Sequence, residues 1–346
     1  MKTNTPTSGR GWAALGLSFG LITAGGAAHA QSSIEMYGLI GVYAGSMQRS
    51  DAQVRTQIVG AGGMTTSYYG FRGKEDLGGG VKAIFQLENF FQPDNGGGGR
   101  SANDPQGFSR SAWVGLEGAF GRLSAGRHGS QFYLAMQSVN PFQASVVFAP
   151  VVLHSYIGSY GSTLSGDTAW NNVVQYSSPD MGGLGVTVQH GVGEVAGDSS
   201  VANDGIHVSY KQGKFNLAVA AQRVEVDKVA PSTGQTSYLA GGAYDFGPLK
   251  LFASAQSSQR SVTDIKSRTY QLGTSVPAGA MSKWLLSAAR TTVRNPLRPE
   301  IERTTVTLGY DHALSKRTDV YAILLYDKLR DQPRGTTPAV GLRHLF

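Results

Sequence analysis

The sequence predicts an all-β protein: a transmembrane antiparallel β-barrel of sixteen strands, with short periplasmic turns and long external loops. Three observations lead there. First, apolar residues recur at every second position in segments of about ten residues, the period of an extended chain whose side chains alternate between two faces. In "GVKAIFQLENFF" (80–91), Val81, Ala83, Phe85, Leu87 and Phe91 share one side, while Lys82, Gln86 and Glu88 share the other. Second, the connections between these segments alternate between short and long. Third, no helical period persists, and the nearest approach to a long apolar run, "ASVVFAPVVL" (144–153), is broken by Pro150. That run is well short of the ~20 residues a membrane-spanning helix needs.

The N-terminus reads separately from the rest. A basic start at Lys2 and Arg10, an apolar stretch from Trp12 to Ala24, and small residues at Ala28 and Ala30 predict a secretory signal over residues 1–30. The mature domain would then span 31–346, starting at Gln31. Losing the signal removes two positive charges and no negative ones, so the net charge falls from +7 to +5. There is no cysteine, so an exported chain of this composition is stabilised without disulfides.

Sixteen alternating segments follow. They begin near Ile34, Ser67, Val81, Phe108, Arg122, Asn172, Leu184, Gly205, Phe215, Ser237, Lys250, Ile265, Trp284, Ile301, Asp319 and Ala339. Short connections include "EDLGGG" (75–80), "EGAFG" (117–121), "KQGK" (211–214) and "LSKRT" (314–318); the longest runs from about His128 to Asn171. Short turns at one end and long loops at the other are the pattern of an outer-membrane barrel. An even count puts both termini on one side, and closure leaves no strand edge facing lipid. A soluble pair of β-sandwiches would share the alternation. It would not share the strict alternation of connection lengths, or aromatics such as Tyr310 and Tyr326 at segment ends.

A barrel sorts each strand into a lipid face and a water face. Phe85 and Leu87 then point outward, and Lys82, Gln86 and Glu88 inward. In the second segment Tyr69 and Phe71 point outward, which places Tyr68, Gly70, Arg72 and Lys74 inside. In "FSRSAWVGLE" (108–117), Trp113 is expected outward, with Arg110, Ala112 and Val114 inside. A charge facing lipid near the midplane would cost ~2–4 kcal/mol, which is why charged residues are assigned to the lumen.

Enzyme chemistry finds little support. "GGG" (78–80) and "GGGG" (96–99) lack the strand–turn–helix setting and the lysine spacing of a phosphate loop. The seven histidines are scattered, with no two at metal-ligand spacing on one element. No catalytic residue, metal, cofactor or nucleic-acid partner is expected.

Several stretches carry a resemblance. "SSIEMYGLIGVYAG", "YYGFRGKEDLGGGVKAIFQLE", "SAWVGLEGAFGRLSAGRHG", "VVQYSSPDMGGLGVTVQHG", "HALSKRTDVYA" and the final "AVGLRHLF" resemble the general porins of Gram-negative β-proteobacteria. The likeness runs from the first strand to the last residue, and "RGKEDLGGG" and "LSKRTDVYA" are its most specific parts. It implies a homotrimeric outer-membrane barrel without enzymatic activity, whose third long loop, roughly His128 to Asn171, folds into the lumen. It also implies a terminal assembly signal at Phe346, read by the barrel-assembly machinery, and surroundings of outer-membrane lipid and lipopolysaccharide.

The chain departs from the family at the expected constriction. Tyr68 and Gln175 stand where relatives usually carry arginines. Asp167 is the only carboxylate of the inserted loop, and its tip, Asn140, Pro141, Phe142 and Gln143, lacks the usual acidic residue. With Arg110, Arg72, Lys82 and Arg127 set against Glu88 and Asp167, the resemblance implies a passive channel for small hydrophilic solutes and inorganic ions. It is expected to be weakly anion-selective, with Arg110 the largest determinant. The alternatives are a channel favouring one class of solute, and a non-conducting structural or adhesive barrel.

Overall fold

The computed structural model describes residues 33–100, 107–194, 202–225 and 234–346. The signal segment predicted for 1–30 lies outside the described residues. In chain order the strands are β1 (Ser33–Met47), β2 (Thr56–Ala61), β3 (Tyr68–Gly78), β4 (Val81–Gln92), β5 (Gly97–Gly98), β6 (Ser111–Gly118), β7 (Gly121–Gly129), β8 (Ala169–Ser177) and β9 (Leu184–Val192). They continue as β10 (Ala202–Gln212), β11 (Phe215–Glu225), β12 (Gly234–Asp245), β13 (Lys250–Arg260), β14 (Lys266–Pro277), β15 (Ser282–Asn295), β16 (Arg298–Ala313), β17 (Thr318–Leu329) and β18 (Gly335–Leu345). Helices α1 (Gln131–Ser138) and α2 (Pro150–Tyr156) lie between β7 and β8.

These strands make sixteen staves. The upper half of β1 pairs with β2, from Val42↔Ala61 to Met47↔Thr56. Its lower half pairs with β3, from Ser33↔Lys74 to Leu39↔Tyr68. β2 and β3 are therefore one stave interrupted at 62–67, and β5 is a two-residue partner of β4 within an external connection. All pairings are antiparallel, and each of the sixteen segments read from the sequence begins within four residues of a strand.

Closure falls between the first and last strands. β18 runs against β1 from Leu39↔Leu345 to Gly45↔Ala339. The ladder ends with a reciprocal pair: Gly38 N–H donates to the Phe346 carbonyl, and Phe346 N–H donates to the Gly38 carbonyl, both at 3.1 Å. The Phe346 ring lies over Gly38, where a Cβ would come within 2.4 Å of it. The terminal aromatic thus has a seat that only glycine provides.

External connections are less uniform than the alternation suggested. Residues 130–168 form one long insertion, whereas the connections at 261–265, 296–297 and 330–334 are short. There the strands themselves extend, β16 reaching 16 residues.

The insertion packs against the inner face of the wall. α1 approaches β9 to β12, and α2 approaches β14 to β16. Phe132, Phe142, Phe148, Met136 and Val151 are fully buried between loop and wall. Three inward-facing glycines make room. A Cβ on Gly241 would stand 2.9 Å from Val139, one on Gly273 2.8 Å from Pro141, and one on Gly309 3.0 Å from Phe142. The tip Asn140–Gln143 is thus pressed into the β12–β16 wall. Asn140 folds it by donating to the carbonyls of Met136 and Gln143, each at 3.0 Å, and accepting from Phe142 N–H. Above it, toward the external end, His154 bridges Thr291 through Nδ1 and Thr305 through Nε2, both at 2.8 Å.

Two outcomes follow from this seating. A Gly273→Val side chain has no space under Pro141, and overpacking of this kind costs about 1–3 kcal/mol. The tip is displaced toward the open lumen, so single-channel conductance in planar bilayers should fall below wild type. His154 is held neutral: burial and then the Arg303 charge lower its pKa to about 3, against ~6.5 when exposed. The detached histidine takes a proton below pH ~6.5 while the seated one does not, so seating weakens as pH falls from there toward 3, by at most ~1.4 kcal/mol per pH unit. Thermal midpoints measured from pH 8 to pH 4 should fall more steeply for wild type than for His154→Asn.

Candidate channel constriction

With one side of the lumen filled by the insertion, the open passage runs along β3, β4, β6 and β7. It holds a cavity of about 400 Å³. Gln86, Glu88, Arg110, Trp113 and Arg122 line its wall side, Tyr133, Gln137 and Val146 its loop side, and Arg100 and Thr168 also border it.

The register of β4 fixes the inward set. Gly70↔Glu88 and Tyr68↔Phe90 pair across β3 and β4. Glu88 sits at mid-height with its side chain 3% exposed and ion-paired to Arg110. Tyr37 Oη donates to Glu88 at 2.8 Å, and Gln86 donates to Tyr37 at 2.9 Å, so the carboxylate is held from two sides. The Arg110 guanidinium lies 3.9 Å from the Tyr68 ring centroid. A cation over an aromatic face that water still reaches gains about 0.5–1 kcal/mol. Tyr68, where an arginine was expected, therefore supports the neighbouring one.

The face assignment of β6 needs correction. Glu88↔Ser111, Gln86↔Trp113 and Lys82↔Glu117 put Ser111, Trp113 and Glu117 inside. Ala112, Val114 and Leu116 point outward, Val114 with 62% of its surface exposed. Trp113 is buffered from water by stacking on His128, with ring centroids 5.2 Å apart. Arg110 reaches the lumen for a different reason from the one expected: it precedes the strand, where period two does not apply. Its backbone N–H donates to the Glu88 carbonyl, which turns its side chain inward.

Above Arg110 a second cluster forms around Asp167. Arg100 grips it with two bonds of 2.8 Å. Arg127 reaches it at 3.2 Å and also bonds Asn171 and the Ser109 carbonyl, each at 2.6 Å. Burial alone would raise the Asp167 pKa; the Arg100 bonds and charge, the Thr168 N–H and the Arg127 charge outweigh it and hold the group below the ordinary carboxylate value. Arg100 was not anticipated, because "GGGGR" sits in a connection with no periodicity to orient it.

The remaining residues fall elsewhere. Gln175 is inward but nearly buried, accepting from Gln131 at 3.1 Å and from Gln189 at 2.9 Å, so it ties α1 to the wall. Arg72 pairs with Glu35 at 2.8 Å, four residues below the level of Tyr68. Lys82 pairs in register with Asp76 and Glu117 beside the periplasmic turns. Both line the lower vestibule and not the constriction. The tip residues 140–143 are in the wall-facing plug.

A closed sheet with a lipid-facing exterior and a charged aqueous passage narrowed by an inserted loop defines a transmembrane channel. The profile of one family, the Gram-negative porins, matches residues 13–332. The chain is 30% identical to outer membrane porin protein 32 of Delftia acidovorans, over 95% of this chain and 99% of that one. It is 27% identical to an outer membrane porin protein of Bordetella pertussis, covering 93% and 96%. Among solved structures, the anion-selective porin from Comamonas acidovorans superposes with a TM-score of 0.78 at 27% identity, covering 91% of this chain and all of that one. The chain belongs to the Gram-negative porin family; it is an outer-membrane β-barrel that forms a passive channel.

The charge pairs yield one selectivity experiment. Asp167→Asn removes a carboxylate shared by Arg100 and Arg127, and the zero-current potential in a salt gradient should shift toward anions. Arg110→Ala, which leaves Glu88 without its counter-ion, should shift it toward cations. Both shifts should be larger at 0.01 M than at 1 M salt, where screening shortens from ~30 Å to ~3 Å.

Proposed function

We propose that the protein is a general diffusion porin with weak anion preference, passing small hydrophilic solutes and inorganic ions. One observation carries this reading: the constriction gathers three arginines, Arg100, Arg110 and Arg127, against two carboxylates, Glu88 and Asp167. Arg122 below them is balanced by Glu117 at 2.7 Å. A narrow passage with low-dielectric walls focuses a surplus positive charge and enriches anions. The preference is weak because each arginine has an acidic neighbour, and because unit charges ~10 Å apart in water interact by only ~0.4 kcal/mol. Arg110 alone does not carry the preference, since Arg100 and Arg127 share the second carboxylate. The reading assigns the chain no catalytic step.

Export through a cleaved signal over residues 1–30 and assembly as a homotrimer are part of the proposal. Support for the trimer comes from the closure region, whose outer surface is small and apolar: Val42, Ala44, Val59, Ala322 and Val340 line shallow grooves there. The seat of Phe346 on Gly38 fits a terminal residue that the assembly machinery reads before closure.

Purified mature protein should begin at Gln31 on N-terminal sequencing and give stepwise, ohmic conductance in planar bilayers, with a reversal potential of the sign for anions. Absence of conductance steps would favour a blocked structural barrel, and a cation-signed potential would overturn the selectivity assignment.

A further inference from the structure

The two sides of the open passage differ in chemistry. The insertion, residues 130–168, holds a single carboxylate and no lysine or arginine. That carboxylate, Asp167, is engaged by Arg100 and Arg127. The loop surface that borders the cavity is otherwise uncharged: Tyr133, Leu134, Gln137, Ala144 and Val146. Leu134 keeps 39% of its surface exposed, whereas Phe132, Ala135 and Met136 beside it on α1 are fully buried. One exposed leucine is ordinary on a protein surface. Here it joins Val146 and Tyr133 in an apolar wall inside a charged passage. Tyr133 is fixed in that wall: its hydroxyl donates to the Ala144 carbonyl at 3.0 Å, and its ring meets Tyr156 edge-on with centroids 5.4 Å apart.

Arg110 borders the same cavity in a defined orientation. Its Nη1 is spent on Glu88, and its guanidinium is backed by the Tyr68 ring at 3.9 Å and the Phe90 ring at 5.9 Å. Nε and Nη2 make no hydrogen bond among the described residues, and 34% of the side chain is exposed. These two nitrogens form the side-on edge of a guanidinium, which matches both oxygens of a carboxylate. Arg303 uses that edge within this chain, gripping Asp327 through Nε at 2.9 Å and Nη2 at 2.6 Å. By contrast, Arg127 spends all three of its nitrogens on neighbours. The Arg110 edge also stands near the apolar wall. Burial raises the Tyr133 pKa to about 12, and the Arg110 charge is the first influence opposing it.

We propose that the constriction contains a weak binding site for aromatic monocarboxylates. The carboxylate takes the Nε and Nη2 edge of Arg110, and the ring lies against Tyr133, Leu134 and Val146. The inference rests on the channel reading and names a solute class for it. A small hydrated anion gains from the Arg110 charge but nothing from the apolar wall, and a neutral ring gains only from the wall. A carboxylate joined to a flat ring is offered both at once. Burial of the ring is favourable in proportion to its area, and rings favour edge-on or offset contact with other rings such as Tyr133 and Phe90. A second carboxylate on the same solute would face the uncharged wall. The cavity of about 400 Å³ falls within the ~300–1,000 Å³ of small-molecule sites. Binding stays weak because a channel conducts only what it can release.

The test places the mature protein in planar bilayers in potassium chloride at pH 7, with benzoate, acetate or benzyl alcohol added while the chloride current is recorded. Benzoate should halve the current at a concentration roughly tenfold below that of acetate, because only its ring is buried. Benzyl alcohol should be no better than acetate. Leu134→Gln leaves every charge in place, and Arg110→Lys keeps the charge but removes the two-nitrogen edge. Each should raise the halving concentration for benzoate about fivefold or more. Leu134→Gln should leave that for acetate unchanged. Equal block by benzoate and acetate overturns the proposal, as does block by benzyl alcohol equal to that by benzoate. So does benzoate block that either variant fails to weaken. Ligand-observed NMR with benzoate on the detergent-solubilised protein separates the two readings. A conducting barrel that binds benzoate no better than acetate defeats this inference alone. A barrel that conducts nothing, yet binds benzoate in a way that Arg110→Lys weakens, defeats the channel reading alone.

Discussion

A chain that enters hydrocarbon must satisfy every backbone N–H and C=O within itself, since no water is there to do so. The rest of the molecule answers to that constraint. A single antiparallel sheet meets it only by closing, and here closure falls to the pairing of β1 with β18, finished by the reciprocal bonds of Gly38 and Phe346. Closure fixes the two faces of every strand, and with them which side chains meet lipid and which meet water.

The lumen is then more than a hole in a sheet. One side of it is a packed core in the ordinary sense, with phenylalanines of the insertion buried against wall positions kept small by Gly241, Gly273 and Gly309. The other side stays open, and its charges are grouped in hydrogen-bonded sets, Arg110 with Glu88 and Arg100 with Arg127 around Asp167. The same insertion that packs against one side of the wall brings Asp167 to the arginines, so seating and selectivity are coupled through one segment. The exterior obeys the complementary rule. Leucines, tyrosines and then cations succeed one another up β14 and β17, an order imposed by the changing solvent across a bilayer.

Much of this was legible in the sequence, because period two and connection length are local properties. They placed all sixteen staves, and the inward set of β3 and β4 followed from Phe71 and Leu87 facing lipid. The inversion of β6 shows where that logic slips. Tryptophan suits either face, so Trp113 could not settle the parity; Glu117, on the same side, could have, because a carboxylate belongs in water. Arg72 and Lys82 share the inward parity of Glu88, but their height depended on the register against β1 and β6.

What the sequence by itself determined was the barrel, its stave count and the lipid or water face of most residues, since each depends on neighbours two positions away. Tertiary structure alone decided which charges meet. Arg100 lies in an aperiodic connection and Asp167 in an insertion 67 positions further on, and no local rule relates them. Their meeting depends on where the insertion is anchored across the barrel, at Gly273, Thr291 and Gly309, and anchoring of that kind is a property of packing between segments distant in sequence.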